Sequence, residues 1–242
     1  MGRAVFRFHA ELNDFLPPER RHSPLEQQFQ GNPSVKHLIE ALGAPHPEVG
    51  RILAEGREVG FSYLVRDGDR IELFPPAPAE RGRGAGGAPR FLLDNHLGKL
   101  AVYLRMAGFD TLYRNDYQDQ ELAETSAREG RVLLTRDQRL LMRTLVKQGY
   151  WVRAKLPPEQ LGEVLGRFGL LGRLEPFRRC LRCNSPLQPV TKEDVLHRLE
   201  PLTRRYYDEF HLCPGCGRLY WKGSHFEHMQ AQLRQIVETG RS

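Results

Sequence analysis

The sequence predicts an α/β protein built around a parallel sheet flanked by helices, with a smaller strand-and-helix unit before it and a cysteine-paired unit after it. Three observations carry that expectation. Between residues 91 and 168, short apolar runs alternate with amphipathic helical stretches over short links, the pattern of parallel strands covered by helices on both faces. Residues 75–89 read PPAPAERGRGAGGAP, which has no apolar period and cannot build a core, so it is a linker. The chain's four cysteines fall into two Cys-x2-Cys pairs, Cys180/Cys183 and Cys213/Cys216.

At 242 residues the chain has room for two or three small domains. A content of 40% apolar and 9% aromatic residues points to modest cores. No run approaches the ~20 apolar residues needed to cross a bilayer. The N-terminal MGRAVFRFHAELNDF lacks the apolar stretch and small-residue cleavage site of a secretory signal, so a cytoplasmic location is expected. Charge is unevenly spread. Residues 1–80 hold 9 Lys and Arg against 12 Asp and Glu, residues 90–175 hold 14 against 11, and residues 176–242 hold 11 against 7. An acidic head before a basic body favours a polyanionic partner such as nucleic acid, although net charge reports non-specific association and not fold.

In chain order, Ala4–Ala10 reads as a first strand. Ser34 to Gly43 reads as a short helix: Ser34 caps it, Gly43 ends it, and Val35, Leu38, Ile39 and Leu42 form one apolar stripe. Short strands are expected at 49–54, 58–61 and 69–74, the last alternating polar and apolar behind the Asp67-Gly68-Asp69 turn. Strand, helix and short strands ending in DGDRIELFPP resemble the β-grasp, ubiquitin-like family of small sulfur carriers. Those carriers act through a free C-terminal Gly-Gly, whereas Gly86-Gly87 here lies inside the linker. That departure speaks against carrier chemistry and for a docking or regulatory role, toward a protein partner.

Beyond the linker, Phe91–Asp94 is a strand, followed by a helix with Leu97, Leu100, Ala101 and Leu104 on one stripe, closed by Gly108. Phe109–Arg114 is the next strand, and Asp119–Glu129 a helix stopped by Gly130. Arg131–Thr135, Gln138–Gln148, Tyr150–Lys155 and Pro158–Phe168 continue as strand, helix, strand and helix. The expected division is 1–76 for the ubiquitin-like unit, 77–89 for the linker, 90–175 for the α/β domain and 176–242 for a cysteine-bearing unit with a C-terminal helix.

Two carboxylates sit at strand ends, Asp94 after the first strand of the α/β domain and Asp137 after the third, with Asp119, Glu121 and Asp116 between them. Side chains beyond the carboxyl ends of parallel strands line the usual ligand crevice. Converging carboxylates repel one another unless a cation lies between them, and hard oxygen ligands select Mg²⁺ or Mn²⁺. Each acid also has a plainer reading. Asp94 and Asp119 are N-cap candidates, and Asp137 is a polar strand terminus.

The stretch from Phe91 to Thr111, FLLDNHLGKLAVYLRMAGFDT, resembles the opening signature of the Mut-seven C-terminal ribonuclease family, a PIN-like group. Asp119-Gln-Glu-Leu-Ala, Arg131-Val-Leu-Leu-Thr-Arg-Asp137 and the cysteine pairs match its later blocks in order, over about residues 90–225. Some members carry an N-terminal ubiquitin-like module. The resemblance implies Mg²⁺- or Mn²⁺-dependent hydrolysis of RNA with Asp94, Asp119 and Asp137 as metal-binding acids, and Glu121 and Asp116 as further carboxylates. Asn95, Lys99, Arg105 and Arg136 would orient the acids or meet RNA phosphates, with surface-charge and helix-pairing roles as the alternative. His96 is expected to face solvent or cap its helix.

Two Cys-x2-Cys pairs can offer four thiolates in a tetrahedron, the closed geometry of structural zinc. The 29 intervening residues exceed the usual ribbon spacing, which a ribbon tolerates because only the knuckles need converge. Two disulfides or a redox dithiol are the other readings, disfavoured by a reducing compartment and by the pairing of two motifs. Thr203-Arg204-Arg205-Tyr206-Tyr207 within the insertion sets Arg204 and Arg205 beside aromatics, a composition that either clamps and stacks on RNA or forms a solvated face. The sequence therefore predicts a metal-dependent ribonuclease with a zinc ribbon. Its rivals are a non-catalytic zinc-ribbon RNA-binding adaptor, in which the acids are caps, and a sulfur-transfer factor.

Overall fold

In the computed structural model, which describes residues 1–77 and 87–239, the N-terminal stretch forms β1 (Gly2–Phe8), two 3-10 turns, β2 (Leu25–Phe29), α1 (Val35–Ala41), a further 3-10 turn, β3 (Arg51–Ala54), β4 (Arg57–Val59) and β5 (Arg70–Phe74). The strands lie in the order β2-β1-β5-β3-β4. The central pair β1 and β5 is parallel, and its neighbours are antiparallel. This is the β-grasp order. Period-two burial explains the strands: Ala4, Phe6 and Phe8 of β1 and Ile71 and Leu73 of β5 point inward, onto Val35, Leu38 and Ile39 of α1. Ser34 Oγ accepts the His37 N–H and caps α1. β2 is a strand the composition hid, since Glu-Gln-Gln fills its middle and only Leu25 and Phe29 are buried.

Next come β6 (Phe91–Leu93), α2 (Gly98–Met106), β7 (Thr111–Tyr113), α3 (Asp119–Glu129), β8 (Val132–Thr135), α4 (Gln138–Leu141), β9 (Gly149–Trp151) and α5 (Pro157–Arg167). β6 pairs in parallel with β7, and β8 with β9. All residues of β6 and β8 are buried, so these strands read as continuous apolar runs. Gly130 ends α3 in the left-handed conformation (φ 60°), where a residue without Cβ pays no steric penalty. One expectation fails here. The helix anticipated over 138–148 is a single turn, because the chain must fold back so that Leu141 and Val146 are both buried before Gly149 starts β9. Gly149 itself sits so close to Leu141 that a Cβ would lie 2.5 Å from its Cδ2.

The C-terminal stretch holds β10 (Gln188–Val190), α6 (Lys192–Val195), α7 (Pro201–Tyr206), β11 (Phe210–Leu212), β12 (Leu219–Trp221) and α8 (Ser224–Thr239). β10, β11 and β12 form an antiparallel sheet in that order, with α6 and α7 inserted between its first two strands.

Packing divides the described chain into two units: residues 1–77 with 118–151, and residues 87–117 with 152–239. The stretch 90–175 is thereby shared, its β8–β9 part grouping with the ubiquitin-like module and its β6–β7 part with the cysteine-bearing sheet. Of the expected linker, residues 78–86, including Arg81, Arg83 and Gly86, lie outside the described residues. No helix among the described residues is long and apolar enough to cross a membrane.

Candidate functional site

Asp94 follows β6 in extended backbone, ahead of a 3-10 turn spanning Asn95–Leu97. It is 5% exposed. Its main-chain carbonyl accepts the Leu97 N–H at 2.9 Å, while its carboxylate makes no capping hydrogen bond to the turn. Asp94 thus holds the N-cap position without a side-chain cap. Asn95 and His96 beside it are exposed, as is Lys99 on α2.

Asp119 is exposed at the first residue of α3, with Gln118 at the N-cap, so the capping reading fails there too. It pairs with Arg143, Nη2 to Oδ2 at 3.5 Å, and Arg143 Nη1 donates to Gln120 Oε1 at 2.9 Å. Arg143 thereby ties the start of α3 to the segment after α4. Glu121 is half-buried in the same first turn, where carboxylates oppose the helix dipole.

For Asp137 the plainer reading has a physical basis. It sits at the N-cap of α4, its Oδ1 accepting the Arg139 N–H at 2.8 Å, and its own N–H donates to Thr135 Oγ1 at 2.9 Å. One oxygen is occupied by the cap, and the group is exposed. Asp116 is also exposed, held in a surface fork by Arg114 at 2.9 and 3.1 Å. That pairing lowers its pKa and supplies a counter-charge.

Arg105, expected to orient the acids, meet RNA phosphates or pair within its helix, is held inside the protein. It is 4% exposed, and Nε donates to Thr111 O at 3.0 Å while Nη1 donates to Leu181 O at 3.1 Å and Arg182 O at 2.9 Å. Burial lowers its pKa, with the cysteines and Asp110 opposing the loss of charge. The guanidinium joins α2 and the end of β7 to the first cysteine knuckle. Asn184 completes the seam: Oδ1 accepts the Thr111 N–H at 2.9 Å and Nδ2 donates to Asp110 Oδ1 at 2.8 Å, with Arg179 Nη2 3.4 Å from Asp110. Neither Asp110 nor Asn184 stood out in the sequence, since nothing in their spacing signals a contact across 74 positions. Of the remaining candidate cations, Arg136 is exposed before Asp137. Arg204 donates Nε to Leu199 O at 3.0 Å, and Arg205 lies 5.5 Å over the exposed Tyr206 ring.

The four cysteines come together. Their Sγ atoms lie within 4.8 Å of one another, with Cys180–Cys216 at 3.6 Å and Cys183–Cys213 at 3.3 Å. These separations are far longer than a disulfide bond, and all four thiols are free. They fit zinc, since a tetrahedron of ~2.3 Å Zn–S bonds has edges of about 3.8 Å. Burial works against the Cys183 thiolate, but Ser185, through its hydroxyl and backbone, and the neighbouring sulfurs outweigh it and lower that thiol to about 6. Burial pushes Cys213 up to about 12, a proton that a coordinated metal displaces outright. The Tyr220 hydroxyl, 3.1 Å from Cys180 Sγ and 3.2 Å from Leu181 N, braces the first knuckle from β12.

Two family descriptions match this chain. The Mut7-C RNAse domain matches residues 89–233. The chain belongs to the Mut7-C RNAse domain family. The Mut7-C ubiquitin description matches residues 1–80, the stretch that folds as the β-grasp module. The Mut7-C RNAse match runs from β6 into α8 without a break, so the cysteine knuckles and the seam at Arg105 lie within the family domain. No curated protein matches the chain. Among solved structures, SAMP1 from Haloferax volcanii is 18% identical, with a TM-score of 0.27 over 36% of this chain and 100% of that one. A second structure, of small archaeal modifier protein 1 from the same organism, is 16% identical, with a TM-score of 0.27 over 32% and 100%.

Proposed function

We propose that this chain is a metal-dependent ribonuclease that hydrolyses RNA phosphodiester bonds, its central domain PIN-like and its cysteine sheet a zinc ribbon. The family match over residues 89–233 supports the activity, and the observation that carries the site is Asp94, a buried acid directly after a strand of the parallel sheet. In this reading Asp94, Asp119 and Asp137, with Glu121 nearby, hold Mg²⁺ or Mn²⁺, the choice their hard oxygen donors favour. Such an ion, when bound, lowers the pKa of a water and offsets charge on the attacked phosphate. The protein's own contribution is positional. α3 and α4 present Asp119 and Asp137 from rigid helix starts, Arg143 fixes Asp119, and Thr135 fixes the Asp137 turn. Lys99 and Arg136, both exposed, meet the RNA backbone, and Arg204 and Arg205 extend that contact beside Tyr206.

Cys180, Cys183, Cys213 and Cys216 hold zinc in a structural role, with Arg105 tying the site to α2. The ubiquitin-like module offers its free surface to a protein partner, and free thiols suit a cytoplasmic setting. The Asp137 cap favours a second reading, a zinc-ribbon RNA-binding adaptor in which the acids are structural. Cleavage assays with Asp94→Asn separate the two. Metal-dependent cleavage lost in that variant supports the ribonuclease, and RNA binding without cleavage by the wild type supports the adaptor.

A further inference from the structure

We propose that the ubiquitin-like module is a built-in positioning element for the nuclease site, acting through Trp151; the inference rests on the ribonuclease reading of Asp137. Trp151 ends β9 and is held at both ends. Its backbone N–H donates to Glu48 Oε1 of the module at 2.7 Å, and its indole Nε1–H donates to the carbonyl of Arg136 at 3.2 Å. Between these bonds the indole packs against the module's apolar core, its centroid 5.3 Å from that of Phe15.

The carbonyl so held belongs to the peptide that leads directly into Asp137. Two further bonds fix that turn, Asp137 N–H to Thr135 Oγ1 and Arg139 N–H to Asp137 Oδ1. Both are local to residues 135–139. The indole bond is brought from another strand, and that strand is braced by the module.

The module's side of the brace is one 3-10 turn, His46–Glu48. Glu48 is 0% exposed and His46 7%. Fully buried ionisable side chains are rare unless their partners are fixed. Here His46 Nε2 lies 2.8 Å from Val146 O and Nδ1 2.7 Å from Glu40 Oε1, so one short turn reaches the β8–β9 segment at two points, Val146 and Trp151. A docking module that came and went would expose both groups each time it left. The seating is therefore permanent, and its effect reaches Asp137. Placement of a catalytic group within about 0.5 Å matters to rate, and Trp151 and Glu48 are the positioning residues that provide it.

The test compares the full chain with Trp151→Phe, which keeps an aromatic ring against the core while removing the indole N–H together with part of the ring volume. With single-stranded RNA and Mn²⁺, kcat should fall about tenfold while KM stays unchanged. Glu48→Gln keeps an acceptor facing the Trp151 N–H and should retain most of the rate, whereas Glu48→Leu should match Trp151→Phe. Should Trp151→Phe fail to fold, Phe15→Leu, which loosens packing on the same ring, carries the same expectation. Amide hydrogen exchange reads the brace without any chemistry: protection at Arg139 should drop about tenfold in Trp151→Phe, with β1 and β5 unchanged. A wild type that cleaves no RNA overturns the ribonuclease reading and leaves exchange to decide the brace. Unchanged exchange at Arg139, an unchanged kcat in an active enzyme, or a change in KM alone each overturns the positioning role.

Discussion

Replacing Arg105 with methionine keeps the apolar stem of a buried side chain and deletes its charged fork. Three carbonyls lose their donors, those of Thr111, Leu181 and Arg182. Thr111 is fully buried, so its orphaned carbonyl costs about 1–3 kcal/mol. Leu181 and Arg182 lie on more exposed backbone, where water can take over, and each loses about 0.5–1.5 kcal/mol. Against this, methionine no longer pays to desolvate a guanidinium whose pKa burial already lowers. The balance is a loss of about 3 kcal/mol, close to the lower end for breaking a buried charged contact. Lysine at this position should recover little, because a point charge cannot reach carbonyls on two sides at once. Urea unfolding of the zinc-loaded chain measures the stability, and chelator competition measures how firmly the knuckle holds its metal, which should loosen in parallel. A stability change below about 0.5 kcal/mol with unchanged zinc release would refute the view that Arg105 rivets the knuckle to α2.

Other expectations follow from single contacts. Chelation of zinc, or Cys213→Ser, should melt the β10–β12 sheet and release the Asp110–Asn184 seam, seen as lost exchange protection at Thr111, whose N–H donates to Asn184; retained protection in the zinc-free protein would contradict this. Gly108→Ala should destabilise by roughly 2–4 kcal/mol, since φ is +100° and the new Cβ would stand 2.3 Å from Glu175 O; a neutral result in thermal unfolding would show that the 175 segment shifts freely. Burial lowers the His46 pKa, against the pull of Glu40 and with that of Lys36. Its contribution to stability is therefore complete above the unfolded value of roughly 6.5 and is lost as pH falls below it. His46→Gln should flatten the dependence of the unfolding midpoint between about pH 7.5 and 5.5, and parallel curves for the two proteins would contradict the assignment.

Much of the architecture was legible because local signals agreed with one another. Ser34 and Gly130 bounded their helices as expected, and the paired Cys-x2-Cys spacing located four sulfurs that do converge. The misreadings share one cause, which is that tertiary demands leave no local mark. α4 stops after one turn because burying Leu141 and Val146 requires a fold-back, although 138–148 carries a helical composition. β2 is a strand because β1 needs a partner, while its Glu-Gln-Gln centre hides the alternation. Asp119 looked like a cap, but Gln118 holds that position. The charge of Arg105 is visible in the sequence, but its burial is not. Trp151 carried no motif at all, and its two hydrogen bonds run to partners 103 and 15 positions away.

The measurement that tests the central claim most directly is cleavage of labelled single-stranded and structured RNA with Mg²⁺, with Mn²⁺ and with EDTA, by the wild type and by Asp137→Asn. Asparagine is as good an N-cap as aspartate, so it can still accept the Arg139 N–H and keep α4 in place while weakening any metal bound there. Cleavage that needs the divalent ion and falls by orders of magnitude in Asp137→Asn, with unfolding unchanged, is the predicted result. RNA bound but uncut by the wild type under every condition, or cleavage undiminished in the variant, would contradict the account and return Asp137 to its role as a cap.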